Sequence, residues 1–144
     1  MKLKNYCFCL VVLMSTVVPR PQEPARFIQA EIGQKTYLLE VANTPQKRWS
    51  GLSNRPKLAE DHGMLFVFPQ AVHVDFCMAG MKFPLDIIWL RNGRVIELTE
   101  NFPCSGRKAE LPIRSNERFD RVIELNAGEI KSSGLKVGDR PSFR

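Results

Sequence analysis

Two carboxylates stand where the surrounding sequence is apolar. Asp86 precedes Ile87-Ile88-Trp89-Leu90, and Glu124 interrupts Val122-Ile123-Glu124-Leu125. Taking a carboxylate out of water costs free energy unless it is paired or hydrogen-bonded. Asp86 therefore has two readings. It could be a general acid or base working with His62 or His73, the two histidines of the chain. It could instead be an anchor that accepts backbone N–H groups or pairs with Arg55, holding a loop to the core. The anchor reading is favoured, because most buried aspartates in small barrels do that job. Glu124 has the same alternatives and one more, since strand alternation could turn it to solvent.

Cys77 and Cys104 are the only cysteines beyond residue 18. In an oxidising compartment such a pair closes, and the bond would stabilise the fold by roughly 2–4 kcal/mol, mainly by restricting the unfolded chain. The other reading is two reduced thiols, Cys77 buried and Cys104 on a loop after Pro103. Sequence spacing leaves both open, because a disulfide needs the two Cα atoms within reach. His73, Asp75 and Cys77 alternate along residues 72–78 and would share one face of a strand, with Met78 and Met81 close by. Imidazole, thiolate and thioether are ligands that suit copper. Methionines are more often core filler, however, and a disulfide at Cys77 would remove the thiolate. There is no zinc-ligand spacing, phosphate-binding glycine loop or nucleophile elbow. No cofactor is expected.

Most of these residues fall in or beside one stretch, residues 63–90, which reads as three buried apolar runs broken at Pro69, Gly80 and Pro84. The runs are residues 64–68, 72–78 and 85–90. The last is joined through Asn92-Gly93 to residues 95–101, and Asn-Gly between apolar runs is the strongest short hairpin signal. Upstream, residues 26–32 and 35–42 flank a Gly33-Gln34 turn and read as a hairpin. Thr44-Pro45 looks like an N-cap followed by proline at the first helical position. That helix should pass through Trp49 and end near Gly51-Leu52, with Trp49 and Leu52 docked on the sheet. Downstream, a polar loop spans residues 103–117 and a strand residues 119–125. A short helical turn follows Gly128 and ends at Gly134, and residues 135–143 close the chain. About seven short strands and two short helical pieces argue for a mainly β protein, a small and mostly antiparallel β-barrel.

The 144 residues make one domain's worth of chain, 44% hydrophobic and 25% charged, which is ordinary globular composition. The net charge of +6 is spread over a mixed surface. Nucleic-acid binders cluster their bases on one face, often with aromatic residues between them, and no such cluster occurs here. Residues 1–18 open with Lys2 and Lys4, continue through an apolar run at residues 6–14, and contain no acid. That is the layout of a secretory signal, although a small-x-small cleavage site is missing, so an uncleaved N-terminal anchor is the second reading. Residues 19–25, with Pro19, Pro21 and Pro24, read as a linker, and residues 26–144 as the domain. A periplasmic or extracellular location is expected, with membrane contact only through an uncleaved leader.

Several blocks together resemble the DUF192 (UPF0127) family. Gly51-Leu52-Ser53-Asn54-Arg55 is similar to its G-L-M-x-R block, and Gly63-Met64-Leu65-Phe66-Val67-Phe68 to its G-M-L-F-x-F block. Phe76-Cys77-Met78 through Pro84-Leu85-Asp86 resembles F-W-M-K-N-T-x-x-P-L-D. Ile123-Glu124-Leu125-Asn126-Ala127-Gly128 and Gly134-Leu135-Lys136-Val137-Gly138-Asp139 resemble the last two blocks. The order holds over nearly the whole domain. The resemblance implies a compact β-barrel-like domain without an assigned activity. This chain departs from the pattern at Ser53, at Cys77 in place of tryptophan, and at Ala79-Gly80-Met81 in place of K-N-T.

Three functions remain, in this order. The first is a non-catalytic exported module that binds a small ligand, a glycan or an envelope protein, with Arg55, Asp86 and Glu124 as binding candidates. The second is a small hydrolase using Asp86 with a histidine. The third is copper binding through His73, Cys77, Met78 and Met81.

Overall fold

The computed structural model describes residues 24–104 and 112–144. The expected leader and most of the linker lie outside the described residues. Seven strands and two short helices follow in order: β1 (Phe27–Ile32), β2 (Lys35–Ala42), α1 (Pro45–Ser50), β3 (His62–Val72), β4 (Leu85–Arg91), β5 (Arg94–Phe102), β6 (Phe119–Asn126), α2 (Glu129–Ser133) and β7 (Ser142–Phe143). They form one sheet in the order β5-β4-β6-β3-β2-β1-β7, curled into a half-barrel. Every pairing is antiparallel except β2 with β3. That parallel pair needs a crossover connection, and α1 lies within it. The two ends of the strand order are tied by backbone bonds between Val95 on β5 and the segment before β7: Val95 N–H to Asp139 O at 2.9 Å and Gly138 N–H to Val95 O at 2.8 Å.

Local chemistry accounts for the elements. Thr44 caps α1 by accepting from Lys47 N–H at 3.2 Å, and Pro45 occupies the first turn. Gly33, at φ +58°, turns the β1–β2 hairpin against the end of α2, where a Cβ would lie 2.2 Å from Ser133 O. Asn92 and Gly93 both take positive φ, as a tight hairpin requires.

Both faces of the sheet are buried, which explains why β4 is buried at every position but its last. On the face lined by α2, Leu39, Leu65, Ile88, Leu90, Ile123 and Leu125 form one core, joined by Ile130 and Leu135. On the other face, Met64, Phe66, Ile87, Trp89, Phe119 and Val122 meet Leu52, Met78, Met81 and Ile113 from the connecting segments.

Residues 72–78 depart from expectation. Only Val72 belongs to the sheet, as the last residue of β3, which continues past Pro69 with a register irregularity between Val67 and Val72; residues 73–78 form no strand of it. The segment after β3 crosses the second face as a lid, with one isolated bridge between Phe76 and Ile113. Its apolar residues are there to pack downward onto the sheet rather than to pair sideways. Phe76 sits edge-on to Phe66 at 5.1 Å and to Trp89 at 5.4 Å. Trp49 also departs from expectation. Helix α1 has no buried residue and stops at Gly51, so Leu52 alone docks on the core while Trp49 is 90% exposed.

Candidate functional site

Strand alternation places Asp86 and Glu124 on opposite faces of the sheet. Asp86 faces the α2 side with Ile88 and Leu90. Glu124, in register with Ile87 and Met64, faces the lid side. The two carboxylates therefore belong to different sites.

Asp86 is fully buried. One carboxylate oxygen accepts from Asn101 N–H at 2.8 Å and the other from Ile130 N–H at 2.7 Å. Ile130 lies in the first turn of α2, whose N-cap Gly128 offers no side chain. Asp86 supplies the missing cap from a distant strand, and at the same time holds Asn101, at φ +50°, in a β5 irregularity. This is the anchor reading in its backbone form. The alternative pairing with Arg55 does not occur, because Arg55 binds Glu40 at 2.8 Å. Neither histidine reaches Asp86: His62 Nδ1 bonds Asp61 at 2.6 Å, and His73 Nε2 donates to Ser115 O at 2.9 Å. The hydrolase grouping is thus not assembled.

The copper set is not assembled around an ion either: His73 is bonded to Ser115 O, apart from the cavity that Cys77, Met78 and Met81 line. Met78 and Met81 are buried in the lid-side core. Asp75 is held by a two-pronged pair with Arg114, both bonds at 2.6 Å, which keeps its carboxyl below the usual carboxylate range. Among the described residues, no group of three or more His, Cys, Asp or Glu side chains converges as metal ligands would. Cys77 and Cys104 are both free thiols. Cys77 is exposed rather than buried, because the lid is not a strand and turns it outward, while Cys104 packs against the lid-side core.

Between the lid, α1 and the sheet lies a half-open cavity of roughly 360 Å³. Its wall is Leu52, Phe66, Phe76, Met78, Met81 and Leu85, and Glu124 stands on its floor. Arg48, Trp49 and Cys77 border the mouth. The lid is held over the cavity by Ser53 Oγ donating to Ala79 O at 2.9 Å and Asn54 N–H to Gly80 O at 2.8 Å. Gly80, at φ +76°, is where the lid turns. Glu124 is 7% exposed; among the described residues no hydrogen bond reaches its carboxyl, and its oxygens are open to the cavity rather than sealed in the core. Burial alone raises its pKa to about 8, so it is mostly protonated at neutral pH. Arg48 is not bonded to it: its guanidinium donates to Val67 O at 2.9 Å and lies 5.0 Å from the centre of the Phe68 ring.

Of the sequence candidates, Glu124, Asp75, Cys77, Met78 and Met81 border this cavity, as wall, floor and mouth rather than as ligands of an ion. Trp49 was missed. A tryptophan at a docking position of a short helix reads as core, and the early stop at Gly51 is what turns it to solvent.

The profile of the family described as uncharacterised ACR, DUF192, matches residues 28–143. No match was found among curated proteins. Two solved structures are similar. One is from Sinorhizobium meliloti 1021 and is provisionally described as a transcription regulator. It is 30% identical, with a TM-score of 0.77, over 85% of this chain and 97% of that one. The other, a protein of unknown function from Novosphingobium aromaticivorans DSM 12444, is 25% identical, with a TM-score of 0.70, over 82% of this chain and 84% of that one. With a profile match across nearly the whole domain, the chain belongs to the DUF192 family.

Proposed function

We propose that the protein is an exported, non-catalytic binding module that takes a small organic molecule into the cavity beneath the lid. The observation that carries this reading is the cavity itself: a largely apolar cleft with a few polar groups, Glu124 on its floor and Arg48, Ser53 and Asp75 along its edge, the usual make-up of a small-molecule site. Trp49 adds support. A tryptophan 90% exposed contributes little to the fold, and at the mouth of an apolar chamber it offers a face for an entering ligand. Export rests on the composition of residues 1–18. A nucleic-acid role has less behind it, since Arg55, Arg114 and Arg144 are each engaged by a carboxylate.

Methyl-labelled methionine gives the test. Titration with 1-hexanol should shift the resonances of Met78 and Met81, which line the cavity, more than that of Met64. Trp49→Ala should leave stability within about 0.5 kcal/mol while weakening the hexanol response. No shift at Met78 and Met81, or equal shifts throughout, would remove the cavity as a binding site.

A further inference from the structure

We infer that the ligand of this cavity carries a primary ammonium group on an apolar stem, and that Glu124 is its counter-ion. The inference rests on the binding role proposed for the cavity and adds the chemistry of the occupant.

Glu124 is buried among Met64, Phe66, Leu85 and Ile87, on the face of the sheet opposite Asp86. From β4 nothing titratable faces it; on β3, His62 shares its face one pair away and is bonded to Asp61, and on β2, Glu40 lies beyond Met64 and is paired with Arg55. The charged or titratable groups around the cavity come from α1 (Arg48) and from the lid (Asp75 and Cys77). Arg48 is engaged by Val67 O and the Phe68 ring, and Asp75 by Arg114. Among the described residues, no cation is left for Glu124. A fold that needed only apolar packing here would have a leucine or methionine at this position. A carboxyl group that faces a half-open, largely apolar cavity, with no cation bonded to it among the described residues, offers a ligand an ionic and hydrogen-bonding partner.

The rest of the lining fits a cation better than an anion. Phe66, Phe68 and Phe76 border the chamber and Trp49 its mouth. Aromatic faces attract ammonium groups, and an N–H···carboxylate bond away from water is among the stronger hydrogen bonds. A carboxylate ligand would instead face Glu124 as a like charge or force it to stay protonated. A primary ammonium has N–H groups to donate to the carboxylate, and its stem fills the space between Leu52, Met78 and Met81.

Cation binding has a proton cost that makes the inference testable. The free protein holds the Glu124 proton up to about pH 8, while the ammonium-bound form must release it. At pH 7 that costs about a factor of ten in affinity. Below pH 8, the affinity for the cation should therefore rise with pH, by up to about tenfold per unit. It should level above pH 8, until the amine loses its own proton near the value of a lysine side chain, about 10.4.

The experiment compares three probes of one length, hexylamine, 1-hexanol and hexanoate, titrated against the full-length protein and Glu124→Gln at pH 6, 7 and 8. The expected result is that hexylamine binds most tightly at pH 8 and tightens with pH, while hexanol binds weakly and independently of pH. In Glu124→Gln, hexylamine should fall to the level of hexanol and lose its pH dependence. If hexanol binds but hexylamine binds no better and shows no pH dependence, the ammonium inference is overturned and the apolar cavity stands. Tighter binding of hexanoate has the same consequence. If none of the three binds, both readings fall. The pH series on the unaltered protein decides the matter even if the variant does not fold.

Discussion

At the scale of the residue, the two interior carboxylates have been handled in opposite ways. Asp86 has both oxygens occupied by backbone donors. Glu124 has its surroundings emptied of partners, and burial alone raises its pKa from 4.5 to about 8. The unfolded chain gives up this proton near pH 4.5 and the folded chain holds it to about 8, so between those values the native state binds more protons than the unfolded state. Stability must then fall as pH rises through that window and level off above it. Glu124→Gln removes the group and should remove that slope. Urea titrations at pH 5 and pH 8 should show the unaltered protein losing on the order of a few kcal/mol more than the variant between them. Parallel losses would mean that Glu124 is solvated. Sequence singled out both residues but could not assign them. Alternation along residues 122–125 is consistent with Glu124 in water only if one face of the sheet is wet. That condition fails here because the lid covers the second face, and the covering contacts come from residues far away in the chain.

The secondary-structure elements were legible where the signal is local and illegible where it depends on what lies above the sheet. The Asn92-Gly93 hairpin, the Thr44-Pro45 helix start and the unbroken apolar run of β4 each follow from a few neighbouring residues. Residues 72–78 carry a strand's composition because they too must bury an apolar side, but beyond Val72, which ends β3 opposite Phe119, their backbone pairs at Phe76 with Ile113 alone. The Asp86 cap is a link between elements that no local pattern announces. One side chain on β4 fixes the first turn of α2 and the irregularity of β5 around Asn101. In Asp86→Asn one of the two oxygens becomes an amide NH₂ facing an N–H donor, so one buried backbone donor goes unsatisfied. The expected cost is about 1–3 kcal/mol, read as a lower urea midpoint with an unchanged slope. An unchanged midpoint would show that α2 and β5 keep their places without Asp86.

For the molecule as a whole, the two cores are closed by different means. On the α2 side the sheet closes on itself: its curl, α2 and the Val95–Asp139 contacts seal Leu39, Ile88, Ile123 and Leu125 with regular backbone pairing. On the lid side the cover is irregular chain. It is fastened by the Phe76–Ile113 bridge and by the bonds from Ser53 and Asn54 to Ala79 and Gly80. Side-chain burial of Phe76, Met78 and Met81 adds to that, but few backbone bonds must break for the lid to lift, and a cavity already lies beneath it. Regions with few fastened backbone groups open at lower free energy than the sheet that carries them. Native-state hydrogen exchange should therefore separate the two. The amides of Phe76, Met81 and Asn54, which bond within or to the lid, should exchange on the order of a hundredfold faster than those at the centres of β4 and β6. Their rates should also respond little to low concentrations of urea, because a local opening exposes little surface, while the β4 and β6 amides should respond steeply. A common urea dependence for both sets would mean that lid and sheet unfold together. The cavity would then be a closed internal space, and entry past Trp49 would need another route.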